Sequence, residues 1–291
     1  MTDVTGSDRL MSRAAPSGGR PVRKDEIEIP DRGLYIESWL PERRSRRKPI
    51  LFVHGELGGS WVWERFLHHL AGRGWEGHAL NLRNHYWSAT ADPLTLDIES
   101  YTEDVVAAIE RLGPTVVAVG HGMGGLLVLK AIERAPVSAY VLVAPEAPKE
   151  LREPARPHVV REVDDAYGRA ELGWETLPEM LLREHRDLTL NDVLRIQHML
   201  GQKPFESGRA RRQVLAGVPV DRSALPDVPR LVIGGGLDRQ VPEPGVERLA
   251  EWLDAPYEPF GAHSHYGLVL GEQSYLQVVE TLRAFLETNR L

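Results

Sequence analysis

Short apolar runs and amphipathic segments alternate along most of this chain. Runs at 49–53, 77–82, 115–119, 139–143 and 230–234 are too brief for helices and mostly rich in β-branched residues, so each predicts a buried strand. Between them, apolar residues recur every three or four positions. Trp63, Phe66, Leu67 and Leu70 mark a helix over 61–72 that stops at Gly72, and 95–112 reads as an amphipathic helix ending at Gly113-Pro114. Further helices are predicted from Leu126 onward, at 241–253 and at 272–286. A short last strand is predicted at 257–260, and two edge strands over 25–40 joined at Pro30-Asp31-Arg32-Gly33. Strands separated by helices imply an α/β protein with a mostly parallel central sheet flanked by helices.

Residues 149–217 break this alternation. They are polar and charged, with helical patches near 158–170, 175–185 and 189–200 and no β alternation. Such a length without a strand is too long for one crossover and predicts a helical lid over the strand ends. Residues 1–22, rich in Ser, Gly, Arg and Pro, predict a disordered tail. The expected organisation is therefore that tail, a core formed by 23–148 and 218–291, and a lid inserted at 149–217. The basic run Arg43-Arg44-Ser45-Arg46-Arg47-Lys48 is expected to be a solvated loop.

Composition narrows the chemistry. A net charge of -7 and a pI near 5.9 give no footprint for nucleic acid. The absence of cysteine excludes disulfides, thiolate catalysis and thiolate metal sites. With neither a signal-peptide core nor an apolar run near 20 residues, the expectation is a soluble, cytoplasmic protein that makes no membrane contact.

The chain is organised around 115–130, where the strand Thr115-Val116-Val117-Ala118-Val119 passes through Gly120-His121-Gly122-Met123-Gly124-Gly125 into an apolar helix. Strand, sharp glycine turn and helix form the setting of a nucleophile elbow. The stretch resembles the G-H-S-M-G-G of α/β-hydrolase-fold esterases and lipases, except that Gly122 stands where the serine would be. Four other pieces carry the same resemblance in the expected order: Val53-His54-Gly55 with Gly58-Gly59, the loop at 82–88, and the loops Gly236-Leu237-Asp238-Arg239-Gln240-Val241-Pro242 and Gly261-Ala262-His263-Ser264-His265-Tyr266-Gly267.

The resemblance implies an α/β-hydrolase fold over approximately 26–291, with Asp238 as the acid and His265 as the base. His263 competes for the latter role. It further implies an oxyanion hole from the backbone N–H groups of Glu56 and Met123, and it implies that His121 faces the core. His54, Leu57, His85, Tyr86, His121, His263 and Tyr266 are candidate pocket residues, His54 also being a candidate structural turn residue. Independently of any family, an imidazole needs a carboxylate on one ring nitrogen to fix its tautomer, leaving the other free to move a proton. Asp238 alone also reads as a cap for the helix near Val241.

Gly122 cannot form an acyl-enzyme, and it relaxes a backbone conformation that strains serine. If Glu56 points inward, it is a second acid/base group opposite His265, with a donor expected from the 83–86 loop; if outward, it is a solvated loop residue. No metal set and no cofactor fingerprint appears, so neither is expected. Three functions fit: an enzyme using His265 and Asp238 for acid/base chemistry on a mostly apolar carbonyl-containing small molecule, by non-covalent hydrolysis, isomerisation, epimerisation or lyase reaction; a serine esterase or lipase whose nucleophile has become Gly122; and a ligand-binding protein without turnover.

Overall fold

The computed structural model describes residues 22–43, 45–152, 162–202 and 205–291. The main sheet is built from β1 (Val22–Ile29), β2 (Leu34–Pro41), β3 (Ile50–Val53), β4 (Gly77–Asn81), β5 (Val117–His121) and β6 (Ala139–Val143), continued by β9 (Arg230–Gly235) and β10 (Tyr257–Phe260). Their spatial order is β1-β2-β4-β3-β5-β6-β9-β10. The β1–β2 and β2–β4 pairings are antiparallel and every later one is parallel. The sequence pattern made both early strands edges. Only β1 is one, because β2 buries Leu34 and Ile36 between β1 and β4. Most of the expected tail lies outside the described residues, while its last member, Val22, already belongs to β1.

Alternation along the central strands divides their side chains between two cores. Leu51, Val53, Ala118 and Leu142 pack on one face with Val105 and Ile109 of α2 (Ile98–Leu112), Leu126 of α3 (Met123–Ile132) and Leu249 of α7 (Glu243–Trp252). Ile50, Phe52, Val117, Val119 and Val141 pack on the other with Phe66 and Leu67 of α1 (Glu64–Ala71) and Val278 and Leu282 of α8 (Tyr275–Thr288). Covering both faces explains why these strands read as apolar runs rather than as alternating ones. Asp97 caps α2 by accepting the Ser100 N–H at 2.9 Å, and Gly113 ends the helix at φ 95°.

Between β6 and β9 lies the inserted segment. Its described elements are β7 (Ala166–Tyr167), α4 (Pro178–Glu184), α5 (Leu190–Leu200), β8 (Glu206–Ser207) and α6 (Gly208–Ala216). The patches at 175–185 and 189–200 coincide with α4 and α5. Thr189 and Asp192 close a reciprocal capping box at the start of α5. The patch at 158–170 is corrected: 158–161 lie outside the described residues, and Ala166–Tyr167 is a strand paired antiparallel with Glu206–Ser207. A two-residue pair made of Ala, Tyr, Glu and Ser has no period to detect. α6 also went unanticipated, since only Ala210 and Val214 give it an apolar side. Ion pairs Arg65–Asp192 (3.0 Å) and Arg195–Glu64 (2.5 Å) hold α5 against α1. In the basic loop, Arg47 lies over the Trp75 ring at 3.6 Å instead of extending into solvent, and Arg44 lies outside the described residues.

Candidate active site

The turn between β5 and α3 places Gly122 at φ 58°, ψ -125°, a left-handed conformation that glycine adopts without strain. Gly124 lets α3 start directly against β3: a Cβ there would sit 2.4 Å from the carbonyl oxygens of Val53 and His54. That close approach brings the elbow beside the His54–Ser60 loop. Met123 opens α3, where the first backbone N–H groups lack intrahelical partners.

His265 faces the elbow. Its Nδ1 and Asp238 Oδ2 are 2.7 Å apart, and both side chains are buried. Asp238 Oδ1 accepts the N–H groups of Gln240 and Val241, each at 2.8 Å, so the carboxylate holds the turn before α7 and the imidazole together. Burial alone would lower the His265 pKa. The charge and hydrogen bond of Asp238 outweigh it, with Glu146 and Glu56 adding, and the pKa is raised above 6.5. A Cβ built on Gly122 would lie 3.1 Å from His265 Nε2, so the imidazole borders the space of the missing side chain.

That space has a volume of about 20 Å³, room for roughly one water molecule. Trp61, Val62, Leu200 and Tyr266 wall it, and Glu56, Glu146 and Gln240 supply polarity. Its lining contains no serine, threonine or lysine among the described residues. Ser60 Oγ donates instead to Glu37 at 2.8 Å, and Ser264 Oγ accepts the Gly267 N–H at 3.3 Å.

Glu56 points inward. Its donor is Arg211 of α6, whose Nη1 is 2.8 and 2.7 Å from the two carboxylate oxygens; the expected donor from the 83–86 loop is corrected. Burial raises the Glu56 pKa, Arg211 opposes the rise, and Glu146 and Glu206 reinforce it. Arg152 donates to Glu146 at 2.7 Å. Sequence reasoning passed over Glu146, Arg152 and Arg211 because isolated charged residues in a polar stretch carry no signal of convergence.

Of the candidate pocket residues, His121 and Tyr266 line the cavity. His121 was expected to face the core. It is indeed buried, but its ring lies tilted against that of His265 at 4.2 Å and its Nε2 contacts the His265 carbonyl oxygen at 3.1 Å, so it braces the histidine loop. Burial, then the neighbouring His265, holds its pKa well below 6.5. The other five stand outside the lining. His54 is a turn residue: Nε2 accepts the Leu82 N–H at 3.2 Å, Nδ1 meets the Gly55 oxygen at 2.7 Å, and burial takes its pKa down to about 3. Tyr86 donates to the Met199 carbonyl at 2.6 Å, tying its loop to α5. His263 turns away to the Ser274 oxygen at 3.2 Å. Leu57 and His85 belong to a separate network.

Glu206, fully buried, centres that network. It accepts from His85 Nε2 (2.8 Å), the Leu57 N–H (3.0 Å), the Ser207 N–H (2.9 Å) and the Tyr101 hydroxyl. Burial would raise its pKa, but the charge and hydrogen bond of His85, followed by Tyr101 and the Leu57 N–H, bring it down to about 2. Burial would lower His85, and Glu206 reverses this into a rise. The pair anchors Leu57, at φ 53°, directly after Glu56. Glu206→Leu is expected to destabilise the fold by about 3–5 kcal/mol, the cost of stranding a buried partner, measured by urea unfolding. A loss below about 1 kcal/mol would mean that the pair is not holding the loop. The Glu206 share of stability is full above its ordinary value of 4.5 and lost as pH falls toward about 2. The His85 share is full below 6.5 and lost as pH rises through its raised folded value.

A mostly parallel sheet with a glycine elbow, a carboxylate–imidazole pair on two later loops and a helix-bearing insertion defines a hydrolase-type architecture. Residues 50–281 match the Alpha/beta hydrolase family, and the chain belongs to it. It is 36% identical over 113 residues to Esterase PIR7B of Oryza sativa subsp. japonica, covering 36% of this chain and 41% of that protein. Thus the match spans less than half the length of this curated relative. In fold it is similar to a thermophilic esterase from Thermogutta terrifontis (TM-score 0.67, 19% identity, 92% of this chain and 100% of the other). It is also similar to a bromoperoxidase from Bacillus anthracis (TM-score 0.69, 17% identity, 91% and 100%). No described helix is long and apolar enough to cross a membrane.

Proposed function

We propose that this chain hydrolyses a small, mostly apolar carbonyl compound, an ester above all, without a covalent intermediate, His265 and Asp238 driving water directly onto the carbonyl. The carrying observation is the water-sized space above Gly122, bordered by His265 and bare of any serine, threonine or lysine among its described lining residues. Asp238 directs the proton of the resting imidazole to Nδ1 and leaves Nε2 to accept one from water. The water oxygen then bonds to the carbonyl carbon. The N–H groups of Glu56 and Met123 receive the developing oxyanion. The imidazolium returns its proton to the departing alkoxide, so that ester and water become acid and alcohol. Glu56 accepts the second hydrogen of the water and orients it, while Arg211 balances its charge against the oxyanion. The inserted segment acts as the lid that excludes bulk solvent.

The test is pre-steady-state hydrolysis of 4-nitrophenyl acetate. Release of nitrophenol is expected to be linear from the first turnover, with no acetylated protein in quenched samples by mass spectrometry. A burst with an acetylated residue would overturn the reading in favour of a covalent nucleophile elsewhere. Glu56→Gln keeps size but replaces the charged acceptor of the water's second hydrogen with a neutral amide, and the steady-state rate should fall roughly tenfold, the difference between a charge-assisted and a neutral hydrogen bond. An unchanged rate and pH profile would remove Glu56 from the mechanism.

A further inference from the structure

A second cavity, of about 220 Å³, also reaches His265, between α4 and the loop after β9. Leu172, Leu181 and Leu237 give it aliphatic walls, and Gln240 and His265 border both it and the space above Gly122. Glu184 and Arg239 pair at 3.4 Å on its rim and cancel each other's charge. Its remaining imidazole is His185, which stacks on Trp174 at 5.0 Å and 16°; Trp174 in turn meets Tyr266 edge-on at 4.9 Å. His185 Nδ1 is sealed from solvent with no partner among the described residues. Burial lowers the pKa of this ring, which keeps it uncharged at neutral pH.

We propose that this cavity is a binding site for a compact uncharged aromatic carbonyl compound bearing a hydroxyl, which hydrogen-bonds His185 Nε2. Size selects the ligand first. An apolar cavity of about 150 Å³ accepts benzene, so this one admits a ring with two small substituents, whereas the elbow side admits one water. Charge selects it second: among the described residues, the two ions at the rim already neutralise each other, and three leucines offer nothing to an ionised ligand. The hydroxyl follows from His185. With Nδ1 enclosed, Nε2 is the nitrogen left to meet a ligand, and a hydroxyl both donates and accepts, so it suits either tautomer. The proposal rests on the proposed hydrolysis only for its consequence, that the ligand's carbonyl extends past Gln240 toward the water above Gly122.

The test uses two ketones that cannot be hydrolysed, so binding is read apart from turnover. Calorimetric titration is expected to show 4-hydroxyacetophenone binding about five- to tenfold more tightly than acetophenone, the worth of one net hydrogen bond. His185→Phe keeps a ring on Trp174 and should abolish that difference while acetophenone binding persists. Leu172→Trp, a change at a half-buried loop position, should weaken both ketones at least tenfold by filling the cavity. Equal affinity for the two ketones, a difference that survives His185→Phe, full binding to Leu172→Trp, or no saturable binding would each overturn the site. A covalent burst with 4-nitrophenyl acetate would overturn the hydrolytic reading and leave this binding result standing.

Discussion

Gly122→Ser is expected to lower the 4-nitrophenyl acetate rate by 10² or more instead of creating an efficient serine esterase. The added hydroxymethyl fills the water-sized space, so the proposed nucleophile is displaced. Its Cβ would stand 3.1 Å from His265 Nε2 before Oγ is even placed, and Asp238 anchors the same ring at 2.7 Å on the other side. His265 must therefore give by a few tenths of an ångström, and with Asp238 behind the ring it can do so only by distorting the interaction that makes it a base. The φ of 58° adds strain of about 1 kcal/mol for a non-glycine residue. The measurement is steady-state and burst kinetics on the same ester. A gain of several orders of magnitude would show that His265 yields readily and that the site is a serine hydrolase lacking only its nucleophile.

Asp238→Asn should cost about 10³–10⁴ in rate while the protein stays folded, and the hydrogen-bond pattern explains why. The Gln240 and Val241 N–H groups already donate to Oδ1, so the asparagine oxygen remains there and its NH₂ replaces Oδ2. That NH₂ can only donate to His265 Nδ1. The imidazole proton then moves to Nε2, where it blocks acceptance of a proton from water. The pH profile supplies a second readout. In the unaltered protein, activity rises with pH through a His265 pKa lifted above 6.5 by Asp238; in the variant, the residual rising limb should shift to lower pH. A loss below tenfold, with the limb unmoved, would separate the pair from the rate-determining step.

Much of this arrangement is legible in the amino-acid order because local chemistry enforces it. Apolar runs of strand length must be buried on both faces, so the central sheet follows from 50–53, 117–121 and 139–143. Gly122 and Gly124 announce a turn where a side chain would be strained or would strike the neighbouring strand. Asp238 and His265 sit on loops that resemble those of a known family, and each loop's position at a strand end limits where its side chain can reach.

Tertiary structure alone decided the rest. Whether Glu56 faced solvent or the cavity depended on Arg211, 155 residues away, because a buried carboxylate persists only beside a compensating charge. His85 looked like a pocket residue until Glu206, 121 positions later, drew it beneath the His54–Ser60 loop. The pairing of β7 with β8 is two residues long and leaves no period. Periodicity records which side of an element meets apolar neighbours, so the sequence by itself determined the sheet, its helices and the elbow. It does not record which distant charges meet, since that depends on how an entire insertion seats; only the folded chain brought Arg211 to Glu56, Glu206 to His85 and His185 to the cavity beside His265.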